Sequence, residues 1–164
     1  MARGYCYFLT NDHTVNGDFF DEDFLFEAAK DELRGAATYN VEGDELEGAI
    51  SIILSIFKKY GAAVGSDTVT FGNDFRSNYF ASRFDRFQKL AANMTLEDFA
   101  EDRPVVQEDT KLSVSPILEA TCLLNNEYGD HVWLDDTFLP MDEFIRQYAH
   151  GNNTFFVRRA VYLK

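Results

Sequence analysis

The chain has 164 residues and a formal net charge of −13, with 46% hydrophobic and 15% aromatic residues. So much apolar material excludes a disordered acidic tail, because such tails cannot bury enough surface to offset chain entropy, and the length fits a single compact acidic domain over residues 1–164. The excess of acid argues against direct binding of nucleic acid or anionic membrane, since the surface repels polyanions at long range and attracts basic partners.

The opening, MARGYCYFLTNDH, holds too short an apolar stretch for a signal peptide, and no run in the chain approaches the roughly 18–20 apolar residues that cross a bilayer, so a cytoplasmic location is expected. Within that opening, Tyr5–Thr10 predicts a first strand, followed by turn-forming residues from Asn11 to Gly17. A helix is expected from Asp21 to Arg34, with acids in its first turn and Gly35 as its stop. Ala36–Val41 predicts a short strand. From Asp44 to Tyr60, Leu46, Ala49, Ile50, Ile53, Phe57 and Tyr60 recur at helical spacing, and acids open the segment while Lys58, Lys59 and Gly61 close it. Ile52, Leu54 and Ile56 widen that apolar surface, which predicts a helix covered on more than one side.

Thr68–Phe71 predicts a strand, and Asn73–Met94 a long helix with an aromatic stripe through Phe75, Tyr79, Phe80, Phe84 and Phe87 that continues to Leu90, Ala91 and Met94. Thr95-Leu96-Glu97-Asp98 has the form of a capping box that opens a short helix to Glu101, and residues 105–112 are expected to be loop. Ser115-Pro116 followed by ILEATCLL fits either a helix with Pro in its first turn or a strand paired with His131–Leu134. Pro140–Ala149 predicts a helix, and the final TFFVRRAVYLK is the strongest strand pattern in the chain. Strands at both ends with helices between them predict an α+β fold, a single mixed or antiparallel sheet with several helices packed on it. The stretch LPMDEFIRQY, Leu139–Tyr148, resembles the LPxDY-type helix opening of one superfamily of bacterial toxin-immunity proteins, but it is short and at the opposite end of the chain, and no property is carried over from it.

Catalytic signatures are missing from the sequence. Gly61–Asp67 has the glycines of a phosphate loop without its lysine, and no dinucleotide fingerprint or nucleophile elbow occurs. Three histidines and two cysteines are too scattered for a metal site, so no cofactor and no metal are expected, and Cys6 and Cys122 read as free thiols. At about 100° per residue, Arg76 and Arg83 fall inside the aromatic stripe, so they are expected either to pair with carboxylates or to line a recessed pocket for an anionic ligand.

The acid is unevenly spread: residues 1–50 carry −9, 51–100 carry +1, 101–150 carry −8 and 151–164 carry +3. Asp23, Glu27 and Asp31 stand one turn apart on one line of the first helix, with Asp21 and Glu22 beside them. A rise of about 5.4 Å per turn spaces these carboxylates not far from the phosphates of a nucleic-acid strand. The reading that follows is a non-enzymatic acidic protein that engages a basic surface of a partner protein through Asp21, Glu22, Asp23, Glu27 and Asp31. Its mode is that of an inhibitor or DNA mimic, such as an anti-defence factor of a mobile element. The competing readings are a small-ligand or metal-dependent enzyme with a site near Arg76 and Arg83, and a self-associating structural protein.

Overall fold

The last strand organises the molecule. In the computed structural model, which describes residues 4–17, 38–102, 104–106, 113–126 and 129–163, the segment Asn153–Leu163 (β9) pairs antiparallel with Gly4–Thr10 (β1) from Gly4↔Leu163 to Thr10↔Phe156. Its other edge carries two strands in succession: Thr38–Asn40 (β2) beside residues 161–163, and Thr68–Phe71 (β4) beside residues 153–156. Ala63–Val64 (β3) lines the outer edge of β4. On the far side of β1, His131–Leu134 (β7) runs parallel to it and turns back into Thr137–Pro140 (β8). The result is one mixed sheet of order β3-β4-β9-β1-β7-β8 with β2 also on β9, and a separate two-stranded hairpin of Val105–Val106 (β5) and Ser113–Val114 (β6). The fold is α+β, as the distribution of strand and helix patterns predicts. The expected helix from Asp21 to Arg34 lies outside the described residues.

Between Val157 and Arg159 the register shifts, because Leu9 faces Val157 while Phe8 faces Arg159, and Arg158 is the extra residue of a β-bulge. The bulge flips the side-chain alternation, so Phe155, Val157 and Ala160 face the main core while Val161 and Leu163 face the opposite side of the sheet with Cys6, Phe8 and Trp133. In that second cluster the Cys6 thiol is fully enclosed, and burial first, then the Asp130 charge, pushes its pKa far up. Both cysteines are free.

Gly43–Lys59 (α1) lies on the main face and buries Ala49, Ile53, Leu54 and Phe57. Ile52, in contrast, is 53% exposed, flanked on the helix by Ser51, Ser55 and Gly48, so α1 is covered on one broad face and not all round. Phe57 meets Phe71 and Phe75 at ring centroid distances of 5.2 and 5.9 Å, and Phe71 reaches Phe144 at 6.0 Å, mostly edge to face. Such pairs are worth about 0.5–1.5 kcal/mol each beyond the area they bury. Gly61, at φ +95, ends α1 in a conformation that a side chain resists.

Phe75–Asn93 (α2) enters the core by Phe75 and then runs along Pro116–Leu124 (α4), which also touches Leu96–Glu101 (α3). The alternative left open by the sequence at residues 116–124 resolves as helix. Ser115 accepts a hydrogen bond from the Leu118 N–H at 3.0 Å, and Pro116 occupies the first turn, where its missing N–H costs nothing. Thr95 and Asp98 complete the predicted capping box of α3. Met141–Tyr148 (α5) packs Met141, Phe144 and Ile145 into the core. No helix among the described residues is long and apolar enough to cross a membrane.

Candidate functional site

Arg76 and Arg83 of the aromatic helix are held by α5, at opposite ends of it. Arg83 forms a two-pronged ion pair with Asp142, in the first turn of α5, with Nη1 to Oδ1 at 2.5 Å and Nη2 to Oδ2 at 2.6 Å. The same Nη2 donates to the Cys122 carbonyl at 2.7 Å, which ties α2 to α4 as well. Asp142 also accepts from the Asn126 N–H at 2.8 Å and from the Tyr79 hydroxyl at 3.4 Å. Burial works against the Arg83 charge, but the hydrogen bonds and charge of Asp142 outweigh it and hold its pKa above the ordinary value. Arg76 instead donates to the carbonyl of Arg146 in the last turn of α5, at 2.9 Å, and has no carboxylate partner among the described residues. The expectation of ion pairing therefore holds for Arg83 and not for Arg76. The two guanidinium groups do not converge on one pocket, because Arg83 is held at the first turn of α5 and Arg76 at its last. Arg146 completes this seam by stacking over Phe80, 4.6 Å from the ring centroid, and by donating to the Leu124 carbonyl.

Beside the Arg83–Asp142 pair is a cavity of about 240 Å³, with Ile53, Phe57 and Met141 on its walls and Tyr79, Asn126 and Asp130 at its polar side. Asp130 accepts the Tyr5 N–H at 2.8 Å, yet burial raises its pKa in spite of that bond. The Tyr7 hydroxyl, fully buried, has no hydrogen-bond partner among the described residues, and burial followed by the Asp130 charge makes it harder to ionise. An anionic ligand entering here would meet Asp130 and Asp142 and a guanidinium already neutralised.

The other polar candidates have structural roles. Asp135 and Asp136 form the two-residue turn between β7 and β8, both with positive φ. His131 is buried, contacts the Gly129 carbonyl at 2.9 Å and stacks on Phe138, and His150 bonds the Gln147 carbonyl at 2.9 Å near the end of α5. No group of three or more His, Cys, Asp or Glu side chains that could hold a metal occurs among the described residues. Asp21, Glu22, Asp23, Glu27 and Asp31 lie outside them.

A site that the sequence reading did not single out stands at the far end of α2. Phe87, Leu90, Ala91 and Met94 on α2 and Ile117, Ala120, Thr121 and Leu124 on α4 line a groove of about 580 Å³, closed on a third side by Leu96 and Phe99 of α3. Leu96 is 83% exposed and Phe99 61% exposed. The signal for it was present: the stripe on α2 runs for several turns beyond Tyr79 and Phe80, its last residues to pack on the main core.

No protein-family model, no curated protein and no solved structure matches this chain.

Proposed function

We propose that the protein is a non-enzymatic acidic binding module that engages a basic surface of a partner protein, as an inhibitor or DNA-mimic-like anti-defence factor would. The observation that carries this reading is the excess of acid. Arg83, Arg86, Arg158 and Arg159 are each engaged by a carboxylate, at 2.5, 2.6, 2.5 and 3.7 Å. Meanwhile Asp44, Glu47, Asp74, Asp85, Asp135 and Asp136 are exposed with no ion-pair partner among the described residues. Lys58, Lys59, Arg76, Lys89 and Arg146 are likewise exposed with no ion-pair partner among the described residues, so the long-range field follows the net charge of −13, which attracts cations and repels nucleic acid and anionic lipid. An anion pocket around Arg76 and Arg83 has less support, since the two point to different ends of α5 and Arg83 is neutralised in place.

Within this reading, Asp21, Glu22, Asp23, Glu27 and Asp31 form the principal contact. The test is the double variant Glu27→Lys/Asp31→Lys, immobilised beside the wild type and exposed to the same cell lysate at low salt. The variant is expected to lose the basic proteins that the wild type retains, and a melt of the same variant separates loss of partner from loss of structure. A folded variant that retains the same proteins removes this line of acids from the site.

A further inference from the structure

We infer that the cavity beside the Arg83–Asp142 pair binds a small free amine, a primary ammonium on an apolar body, and that Asp130 receives its charge. This site is separate from the proposed partner surface. The polar groups of the cavity are unequally spent. Asp142 accepts from both terminal nitrogens of Arg83, from the Asn126 N–H and from the Tyr79 hydroxyl, which uses the roughly four lone-pair positions of a carboxylate. Arg83 also turns Nη2 to the Cys122 and Leu123 carbonyls, at 2.7 and 3.3 Å. Asp130 differs: among the described residues its Oδ1 accepts the Tyr5 N–H at 2.8 Å, and its Oδ2 accepts nothing. It is nevertheless held in place. Its own carbonyl accepts the Met141 N–H at 2.9 Å, and Gly4 packs so close that a Cβ there would lie 2.8 Å from Oδ1. A fixed carboxylate with an unused oxygen is preorganised for a donor from outside the chain. The buried Tyr7 hydroxyl, also without a partner among the described residues, lies within reach of the same charge.

Charge then selects the class of ligand. Two carboxylates against one guanidinium leave the lining at −1, so a monocation balances it and an anion does not. Burial raises the Asp130 pKa, which means that its negative charge is undercompensated by the chain itself. A metal ion is a poor match, because it needs several oxygens and those of Asp142 are committed, whereas an ammonium is anchored by one carboxylate and tolerates aromatic neighbours. Ile53, Phe57 and Met141 are buried walls of the cavity and give a hydrocarbon body an apolar surface. Its volume of about 240 Å³ equals the share of roughly eight waters. That is below the range of about 300–1,000 Å³ usual for ligand pockets and restricts the occupant to a small molecule.

The experiment titrates the protein with phenethylammonium and follows the labelled methyl signals of its three methionines, Met1, Met94 and Met141. Met141 lines this cavity and Met94 lines the apolar groove between α2 and α4, so the spectrum locates the ligand as well as detecting it. Met141 is expected to shift and Met94 to stay. Phenethyl alcohol, which lacks the charge, and phenylacetate, which has the wrong sign, are expected to bind about tenfold more weakly or less well still. Asp130→Asn should weaken the amine about tenfold or more and leave the alcohol unchanged, while Asp85→Asn, which removes an exposed carboxylate of α2, should change neither. The comparison of amine, alcohol and anion on wild-type protein keeps the inference testable if Asp130→Asn does not fold. N-acetyl-lysinamide presents the ammonium as the lysine of a partner would. A shift of Met94 in place of Met141, equal binding of amine and alcohol, or unchanged amine affinity in folded Asp130→Asn would each overturn the inference. Tighter binding of N-acetyl-lysinamide than of phenethylammonium would overturn it too, by giving the site to a partner's side chain.

Discussion

Asp142 is 2% exposed and accepts hydrogen bonds from Arg83, Tyr79 and the Asn126 backbone, so its removal strands a guanidinium facing aromatic side chains. Breaking a buried pair on one side costs about 3–5 kcal/mol, whereas replacing both partners with apolar residues is often close to neutral. Arg83 keeps partial solvent contact, which places Asp142→Ala at the lower end of that range. Urea unfolding should therefore show Arg83→Met/Asp142→Leu to be more stable than Asp142→Ala, and equal losses would mean that the pair is not what links α2 to α5. Asp130 presents the opposite case. Burial raises its pKa, so the folded state binds its proton more tightly than the unfolded state does, and the stability this confers is present below the unfolded value of about 3.9 and is lost as pH rises through the folded one. Asp130→Asn should melt higher than wild type at pH 7, with the gap closing toward pH 3; a constant gap across that range would exclude ionisation as the cause. Of these features the sequence showed that Arg83 lies on an apolar face and needs a carboxylate. It did not show which one, because Asp142 is 59 residues away and only the packing of α5 on α2 brings them together.

Among the elements, α1 and β9 were legible because long periodic segments with charged or glycine ends leave few alternatives, and both appear within a residue or two of the expected bounds. β3, β5 and β6 were not, since strands of two residues are too short to display a period, and neither was β8. The stripe on α2 shows a subtler limit. Periodicity reveals that a helix has an apolar face and says nothing of what covers it: Phe75 is buried in the core, while Phe84, on the same stripe, is 58% exposed. The β7–β8 turn places Asp135 and Asp136 at φ of 48° and 60° across a two-residue loop. This conformation favours glycine at the second position. Asp136→Gly should therefore raise stability by up to about 1 kcal/mol, through relief of the left-handed strain. A lower melting temperature in that variant would show that the Asp136 side chain holds the turn by a contact of its own.

At the scale of the whole molecule, the sequence establishes the excess of acid and the fold establishes how the bases are engaged. Four arginines form ion pairs, among them Arg158 with Asp67 and Arg86 with Glu119, while Arg76 and Arg146 bond backbone carbonyls, and the bases leave a net charge of −13. The proposed partner surface follows from the excess of acid, and attraction by charge is one contribution to binding, burial of apolar surface the other. The two differ in their response to ions. Screening shortens from about 10 Å at 0.1 M salt to about 3 Å at 1 M, which weakens the charge attraction and leaves apolar burial intact or stronger. The most direct measurement is thus a salt series on immobilised wild-type protein, identifying what is retained from lysate at each step. The account predicts that the proteins retained at 0.1 M are basic and that most are released well before 1 M; retention of neutral or acidic proteins with no dependence on salt would contradict it.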